Sequence, residues 1–386
     1  MDRFFSSDFT LGILGGGQLG KMLLTETQKW DIKTHVLDPS DQAPCKTGCT
    51  QFTQGSLMDY DTVMAFGQDL DVLTIEIEGV NLDALTDLER QGVKTYPRAE
   101  TLRFIQDKGI QKSFYAQHDI PTAPFVLFDH GDDVREAYKA GELQLPCVWK
   151  ICRGGYDGKG VQILRKPEDL QDLPQAPCLI EELVPFELEL AVIVARTPSG
   201  KAISYPVVEM EFHPEANQVE YVLCPARIDE SLAKKAQEVA LKVSRALKHQ
   251  GLLAVELFAT STGDILVNEV APRPHNSGHY SIEAAHTNQF EQHLRAILDL
   301  PLGVTDSKLA GIMVNLVGKE GHQGPVFYEH LEKILEMPGV TPHIYGKKQT
   351  RPFRKMGHVT IVHNDMAQAR VVAEQVKNTI NVISIP

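Results

Sequence analysis

The sequence predicts an α/β unit with a parallel sheet, followed by a larger α+β region built mainly from antiparallel strands. Three observations carry this. The first hundred residues alternate strand and helix signals, residues 120 to 183 hold short β runs around one helix, and from Glu187 onward paired β runs are crossed by a single long helix. At 386 residues the chain exceeds the ~250–300 at which a single core stops growing, so two or three domains are expected.

The first unit reads as strands at Thr10–Leu14, Thr34–Leu37 and Val72–Ile77, a helix from about Leu19, a helix over Leu82–Gln91, and a short strand near Val93–Tyr96. A helix-like stretch, Ala99–His118, leads into the rigid connector Ile120-Pro121-Thr122-Ala123-Pro124. A small lobe follows, with β runs at Phe125–Phe128, Cys147–Ile151, Gly160–Leu164 and Cys178–Glu182 around a helix at Asp132–Ala140. Next come β runs at Glu187–Ala195, Ser204–Glu209, Gln218–Leu223, Leu253–Thr260 and Asp264–Val270, with helices at Glu230–His249 and Asn288–Leu298. The tail adds strands and a helix at Ala367–Thr379.

A formal net charge of −13 disfavours nucleic-acid or anionic-membrane binding, which need a broad positive field. The amino-terminal residues lack a signal-peptide layout, and no apolar run approaches the ~18 residues of a membrane span, so the expectation is a cytoplasmic protein. Six scattered cysteines, without a matching second pair for zinc, read as reduced thiols.

Chemistry concentrates in Ile265-Leu-Val-Asn-Glu-Val-Ala-Pro-Arg-Pro-His-Asn-Ser-Gly-His279. Asn268 and Glu269 end an apolar run, and Pro272 and Pro274 hold Arg273, His275, Asn276 and Ser277 on an extended path. Glu256 interrupts the apolar run Leu252–Phe258, and an isolated buried carboxylate is costly. The turn Ser261–Asp264 brings it toward Asn268 and Glu269, giving three hard oxygen ligands suited to magnesium; an acid/base pair of carboxylates is the alternative.

Gly15-Gly-Gly-Gln-Leu-Gly20 between strand and helix, with Asp38 ending the next strand, fits a dinucleotide fingerprint. The same turn serves other phosphorylated ligands, or tight packing. A second loop, Lys150 to Val161, has four glycines and two lysines, suiting a flap over a triphosphate; an ordinary hairpin is the plain alternative. Glu181-Glu-Leu-Val-Pro-Phe-Glu-Leu-Glu189 offers backbone for a purine edge and carboxylates for a ribose, or is an acidic linker. Lys347, Lys348, Arg351, Arg354 and Lys355 form a local anion trap in an acidic chain, or a solvated hairpin tip. His279, His286 and His293 recur every seven residues, ~10 Å apart if helical, and read as a helix face rather than a metal site.

Together these motifs resemble the ATP-grasp enzymes, and among them the 5-(carboxyamino)imidazole ribonucleotide synthase family of purine biosynthesis. The most specific segments are Gly12–Gly20, Thr74-Ile-Glu-Ile-Glu78, Gly154–Gly160, Asn268–His279 and Arg354-Lys-Met-Gly-His358. The resemblance implies an ATP-grasp fold: an N-terminal α/β domain at 1–100, a two-lobed ATP-grasp domain at 101–300 with its mobile lobe at about 122–184, and a small C-terminal domain at 301–386. It implies carboxylation of aminoimidazole ribonucleotide with ATP and bicarbonate through carboxyphosphate, with magnesium, or manganese in its place, and a homodimer. It assigns ATP to Lys108, Lys150, Gly155, Tyr156, Asp157, Gly158, Lys159, Gly160, Val161, Glu181, Glu182, Leu183, Val184, Glu189, His213, Asn268 and Glu269, and the metal to Glu256 and Glu269. Tyr156, Asp157, Lys159, Arg273, His275 and Asn276 would face the reacting groups. Gly17, Gln18, Leu19, Glu76, Ser277, Lys347, Arg351, Arg354 and Lys355 would hold the ribonucleotide. Three departures stand out: Gly79 where the family has histidine, Phe353 where it has glycine, and Lys108 where arginine is common. Another ATP-grasp formyl or carboxyl transferase and a dinucleotide-dependent oxidoreductase are the competing readings.

Overall fold

A computed structural model of the chain describes residues 4–155, 160–214 and 218–385. Five parallel strands form the first sheet, in the order Gln51–Gln54, Lys33–Asp38, Thr10–Leu14, Val72–Ile75, Lys94–Tyr96. Alternation along Thr10–Leu14 sends Leu11 and Ile13 to one face and Leu14 to the other, and each face has its own core. One core includes Phe290, Leu294 and Ile297 from the distant helix Gln289–Ile297, which anchors the first unit to the centre of the molecule.

The small lobe is an antiparallel sheet ordered Phe125–Phe128, Cys178–Glu182, Cys147–Ile151, Val161–Leu164, and the helix Gly131–Ala140 contributes Val134 to its core. The largest sheet is antiparallel throughout. Its path runs Ile265–Ala271, Gly251–Thr260, Phe186–Arg196, Val208–Phe212, Val219–Cys224, Ala310–Val317, Lys355–His363, Val340–Ile344, with Ala202–Ser204 beside Phe186–Arg196. Tail strands thus continue the sheet that bears the carboxylates. The helix Glu230–Leu247 starts where Asp229 accepts the Leu232 N–H, and it buries Ala236, Val239, Ala240 and Val243 against this sheet.

Some local expectations change. Ala99–His118 is two helices, Ala99–Ile105 and Lys108–Gln117, because Asp107 caps the second by accepting the Gly109 and Ile110 N–H groups. The expected strand Ser204–Glu209 is two strands, broken at Tyr205–Val207 around Pro206. Strand Gln51–Gln54 and helix Tyr60–Gly67 carry weaker periodicity and were not expected from the sequence. The three regularly spaced histidines share no helix face: His279 ends a 3-10 turn, His286 lies in a loop, and only His293 is in an α-helix. All six cysteines are free. Among the described residues, no helix is long and apolar enough to cross a membrane.

Candidate active site

Glu256 and Glu269 face each other across paired strands. The register slips beside them, since Leu257 pairs with Val267 and Asn268 is left as an extra residue. Simple alternation would send Asn268 and Glu269 to opposite faces, whereas a bulge re-aims a side chain. Both accept from lysines of the same cluster. Lys150 Nζ donates to Asn268 Oδ1 at 3.1 Å and Lys108 Nζ to Glu269 Oε2 at 2.6 Å.

The two carboxylates differ electrostatically. Burial, with Glu269 and Glu189 adding like charge, pushes Glu256 up to about 8. Burial acts upward on Glu269 too, but Lys108 and Lys150 outweigh it and hold that carboxyl below its usual range. Burial likewise opposes the charge on Lys108, yet Glu269 raises its pKa overall. Glu269 keeps 45% of its side-chain surface accessible.

Lys150 also forms an ion pair with Glu181 Oε2 at 2.7 Å, while Lys112 Nζ meets Glu181 Oε1 at 2.7 Å. Glu181 is therefore buried between two ammonium groups, and Glu182 beside it is exposed. Nothing in the sequence pattern singled out Lys112. Only the helix that starts at Lys108 carries it to the lobe's sheet.

Beyond the strand, Arg273 Nε lies 2.8 Å from Glu78 Oε1, so the last acid of Thr74–Glu78 orients the guanidinium. His275 Nδ1 accepts the Ser277 N–H at 3.3 Å, which leaves the proton on Nε2, 3.3 Å from Glu256 Oε1. Burial, then Arg273 and Lys355, push this imidazole down to about 3. It is neutral at physiological pH. Asn276 exchanges two hydrogen bonds of 2.9 Å with Asn315, on the strand Ala310–Val317, and Gln289 accepts the His275 N–H at 2.8 Å. Asn315 and Gln289 lie 39 and 14 residues from their partners, which hides them from local sequence reading.

At the first glycine turn the anion position is filled from within. Helix Gln18–Lys29 has no side-chain cap on Gly17, and Glu76 Oε1 accepts the Leu19 N–H at 3.2 Å. A Cβ on Gly17 would come within 2.5 Å of Glu76 Oε1, so glycine is needed for this approach. Burial raises Glu76 to about 7 against the pull of Arg273 and the Leu19 N–H. Asp38 Oδ2, the expected ribose ligand of a dinucleotide, instead accepts the Gly16 N–H at 2.7 Å. Two carboxylates thus occupy what a dinucleotide pyrophosphate and ribose require, which argues against the oxidoreductase reading.

The tail reaches the same region. Lys21 Nζ donates to Ile344 O at 2.8 Å, and Lys347 Nζ to Lys355 O at 2.8 Å. Lys347 influences Glu76, and Lys355 influences Glu256 and His275. Arg354 donates to Gln349 O at 2.6 Å; burial and then Arg351 lower its pKa. Arg351 is exposed. Phe353 has φ +60, a left-handed conformation that accounts for a glycine preference there, and its ring centroid lies 6.0 Å from that of His213. Among the described residues, apart from its chain neighbours, no heavy atom lies within 4 Å of a Cβ on Gly79.

In the second glycine loop, Gly154 and Gly160 have φ +80 and +78, and Gly160 O accepts the Ile151 N–H at 2.9 Å; Gly155 and Val161 flank the turn. Tyr156, Asp157, Gly158 and Lys159 lie outside the described residues. Half-buried Leu183 and Val184 lead to Phe186, whose ring stacks on Phe258 with centroids 4.5 Å apart and planes at 6°. Glu189 pairs with Phe258 on the neighbouring strand, and burial raises it to about 7. This aromatic pair had a faint sequence signal, since Phe258 follows Glu256 at the strand period of two.

Three family models match in succession: the ribonucleotide synthetase preATP-grasp domain over residues 9–106, the ATP-grasp domain over 113–290, and the phosphoribosylaminoimidazole carboxylase C-terminal domain over 311–371. The N5-carboxyaminoimidazole ribonucleotide synthase of Synechococcus elongatus is 40% identical over 358 residues, 91% of this chain and 89% of its own. The chain belongs to the N5-carboxyaminoimidazole ribonucleotide synthase family. The crystal structure of the Thermotoga maritima synthetase is 40% identical with a TM-score of 0.89, over 98% of this chain and 100% of that one. The Aspergillus clavatus synthase, solved in complex with ADP and 5-aminoimidazole ribonucleotide, is 31% identical with a TM-score of 0.86, over 96% and 98%. ATP-grasp architecture, with an N-terminal parallel-sheet domain and a C-terminal domain, is thereby established for this family member.

Proposed function

We propose that this chain is an ATP-dependent carbon–nitrogen ligase that uses bicarbonate to carboxylate 5-aminoimidazole ribonucleotide, giving N5-carboxyaminoimidazole ribonucleotide in de novo purine synthesis. One observation carries the reading. Two lysines, two in-register carboxylates and an anchored arginine converge at the end of one strand, and Lys355 of the tail lies close enough to influence Glu256 of that group and the neighbouring His275.

The nucleotide would lie between the lobes. Its base would meet the Phe186–Phe258 platform and the 182–184 backbone, its ribose Glu189, and its phosphates Lys108, Lys150 and the glycine loop, with His213 nearby. Glu256, raised to about 8 by burial and by the like charges of Glu269 and Glu189, is short of positive charge, and this fits a cation. Glu256 and Glu269 would hold magnesium, or manganese, with Asn268 alongside. Among the described residues no cluster of three or more His, Cys, Asp or Glu side chains is able to hold a metal; magnesium takes one or two carboxylates and completes its shell with phosphate and water. Bound there, the ion would supply charge neutralisation to the transferring phosphoryl group.

A bicarbonate oxygen attacks the γ-phosphorus and ADP leaves. The ribonucleotide amine then forms its bond to the carbon of carboxyphosphate, the C–O bond to phosphate breaks with its electron pair going to the departing phosphate, and that phosphate takes the proton the amine gives up. Arg273, oriented by Glu78, would bind the carboxyl group, and neutral His275 with Asn276 would line the same position without adding charge. Gly17 to Leu19, Glu76 and Ser277 would contact the ribonucleotide, and Lys347, Arg351, Arg354 and Lys355 its phosphate. The deciding measurement is ADP release with bicarbonate, with and without aminoimidazole ribonucleotide. Stimulation by the ribonucleotide is expected, and its absence would remove the substrate assignment.

Arg354 sits with Arg351 close enough to lower its pKa, an arrangement an anion relieves. Arg354→Ala is expected to raise the KM for the ribonucleotide about 10- to 100-fold, the value of a charge-assisted hydrogen bond, with KM for ATP changed less than about threefold. Equal effects on both substrates would contradict the phosphate role. A cytoplasmic homodimer belongs to the same proposal, and light scattering coupled to size exclusion tests its oligomeric part.

A further inference from the structure

Glu181 has one ammonium on each carboxylate oxygen, and the two lysines differ in how they are held. Lys112 is 2% exposed, and its Nζ lies 2.5 Å from Thr122 Oγ1 as well as 2.7 Å from Glu181 Oε1. Thr122 is itself fixed, since its hydroxyl donates to Val267 O at 2.7 Å and the Val267 N–H donates to Pro121 O at 2.8 Å. Lys112 is therefore tied to the connector and, through it, to the strand bearing Asn268 and Glu269. Lys150 pairs with Glu181 Oε2 and otherwise meets the neutral Asn268 Oδ1. Its contact with Asn268 lies beside the partly accessible Glu269.

We propose that Lys112 is a positioning residue: it carries the charge of Glu181 when Lys150 turns from that carboxylate to the nucleotide phosphates. The proposal rests on the reading of Lys150 as a phosphate ligand. A buried carboxylate with one counterion holds that counterion strongly, because separation leaves an uncompensated buried charge. A second, immobile ammonium removes that penalty and makes the exchange of partners by Lys150 favourable. Without Lys112, Glu181 retains Lys150 and competes with the phosphates for it. Lys112 need not touch the nucleotide.

A double-mutant cycle separates this from a role in packing. ADP and adenosine, each with magnesium, are titrated by calorimetry into the full-length protein, Lys112→Met, Glu181→Gln and the double variant. Lys112→Met is expected to raise the Kd for ADP about tenfold or more, the scale of a charged hydrogen bond, without changing that for adenosine. In the Glu181→Gln background the same substitution should change the ADP Kd by less than about threefold, since no carboxylate remains to retain Lys150. Equal losses in both backgrounds, or no loss in the single variant, would overturn the proposal. Lys112→Gln, which keeps a donor for Thr122, is measured in parallel so that poor folding of the methionine variant leaves the comparison intact. Lys150→Met is the control on the underlying reading: an unchanged ADP Kd there would remove Lys150 as a phosphate ligand, whatever Lys112 does.

Discussion

Replacing Glu269 by glutamine is expected to lower kcat about 100- to 1000-fold, the cost of deleting one preorganised electrostatic group from a transition state, while the protein stays folded. Glutamine keeps the shape and removes the charge, so the strand pairing with Glu256 and the bulge at Asn268 remain. The charge pairing with Lys108 and Lys150 is lost, while the amide oxygen still accepts from the Lys108 ammonium, so the local packing is kept. The magnesium concentration for half-maximal rate should rise together with the fall in kcat. Glu256→Gln sharpens the test by giving a different pattern. Glu256 has its pKa raised to about 8, so its ionised form opposes folding in the absence of cation, and that opposition grows as pH rises above the unfolded carboxylate value. Its glutamine variant should lose activity yet melt higher than the parent at pH 8 without magnesium. A Glu269→Gln variant within tenfold of parental kcat would exclude that residue as a metal ligand.

What the sequence made legible was local and periodic. The turn Ser261–Asp264 predicted the approach of Glu256 to Glu269, and the prolines at 272 and 274 predicted the extended path of Arg273 to His275, whereas Asn276 and Ser277 depart from it and close into a 3-10 turn in which His275 caps the Ser277 N–H. Glycine spacing predicted the first turn and its helix. What stayed hidden depended on contacts between distant segments. The bulge that aims Asn268 and Glu269 at one lysine cluster is a register fact of two strands. Glu76 beneath the glycine turn directly follows another strand of the sheet, Val72–Ile75, and takes the place where the fingerprint predicts a phosphate. Asn315, which pairs with Asn276, belongs to a tail strand, and the junction of that tail with the central sheet has no signature in either segment alone. A lysine on a short helix reads as solvated, and only burial against Glu181 and Thr122 distinguishes Lys112.

The dependence of stability on pH is expected to be flat and then steep. Burial drives His249 down to about 4, and His275 and His293 to about 3; it also holds His279 and His358 well below the usual imidazole range. A histidine with a depressed folded pKa contributes stability that is complete above the unfolded value near 6.5 and is lost as pH falls toward the folded value. Each such group withdraws about 1.4 kcal/mol per pH unit once well below 6.5. Three carboxyls act in the other direction: Glu76 and Glu189 at about 7 and Glu256 at about 8 are favoured protonated in the fold, so they add stability as pH falls from these values toward about 4.5. Between about pH 7.5 and 5.5 the two sets nearly cancel, because three carboxyls gain over most of that interval while five histidines have only begun to lose. Below about pH 5 the carboxyl gain ends and the histidine loss continues, on the order of several kcal/mol per pH unit, comparable to a typical total of 5–15 kcal/mol. His293 shows how the loss is realised. Its Nδ1 accepts the Leu252 N–H at 3.2 Å and its Nε2 meets Thr74 Oγ1 at 2.9 Å, so a second ring proton would face the Leu252 N–H and break the contact that joins the parallel sheet to the central one. Thermal melts without nucleotide or metal should therefore show a Tm nearly constant from pH 7.5 to 5.5 and falling sharply below 5. A Tm that holds to pH 4 would mean that these imidazoles are not kept neutral by the fold.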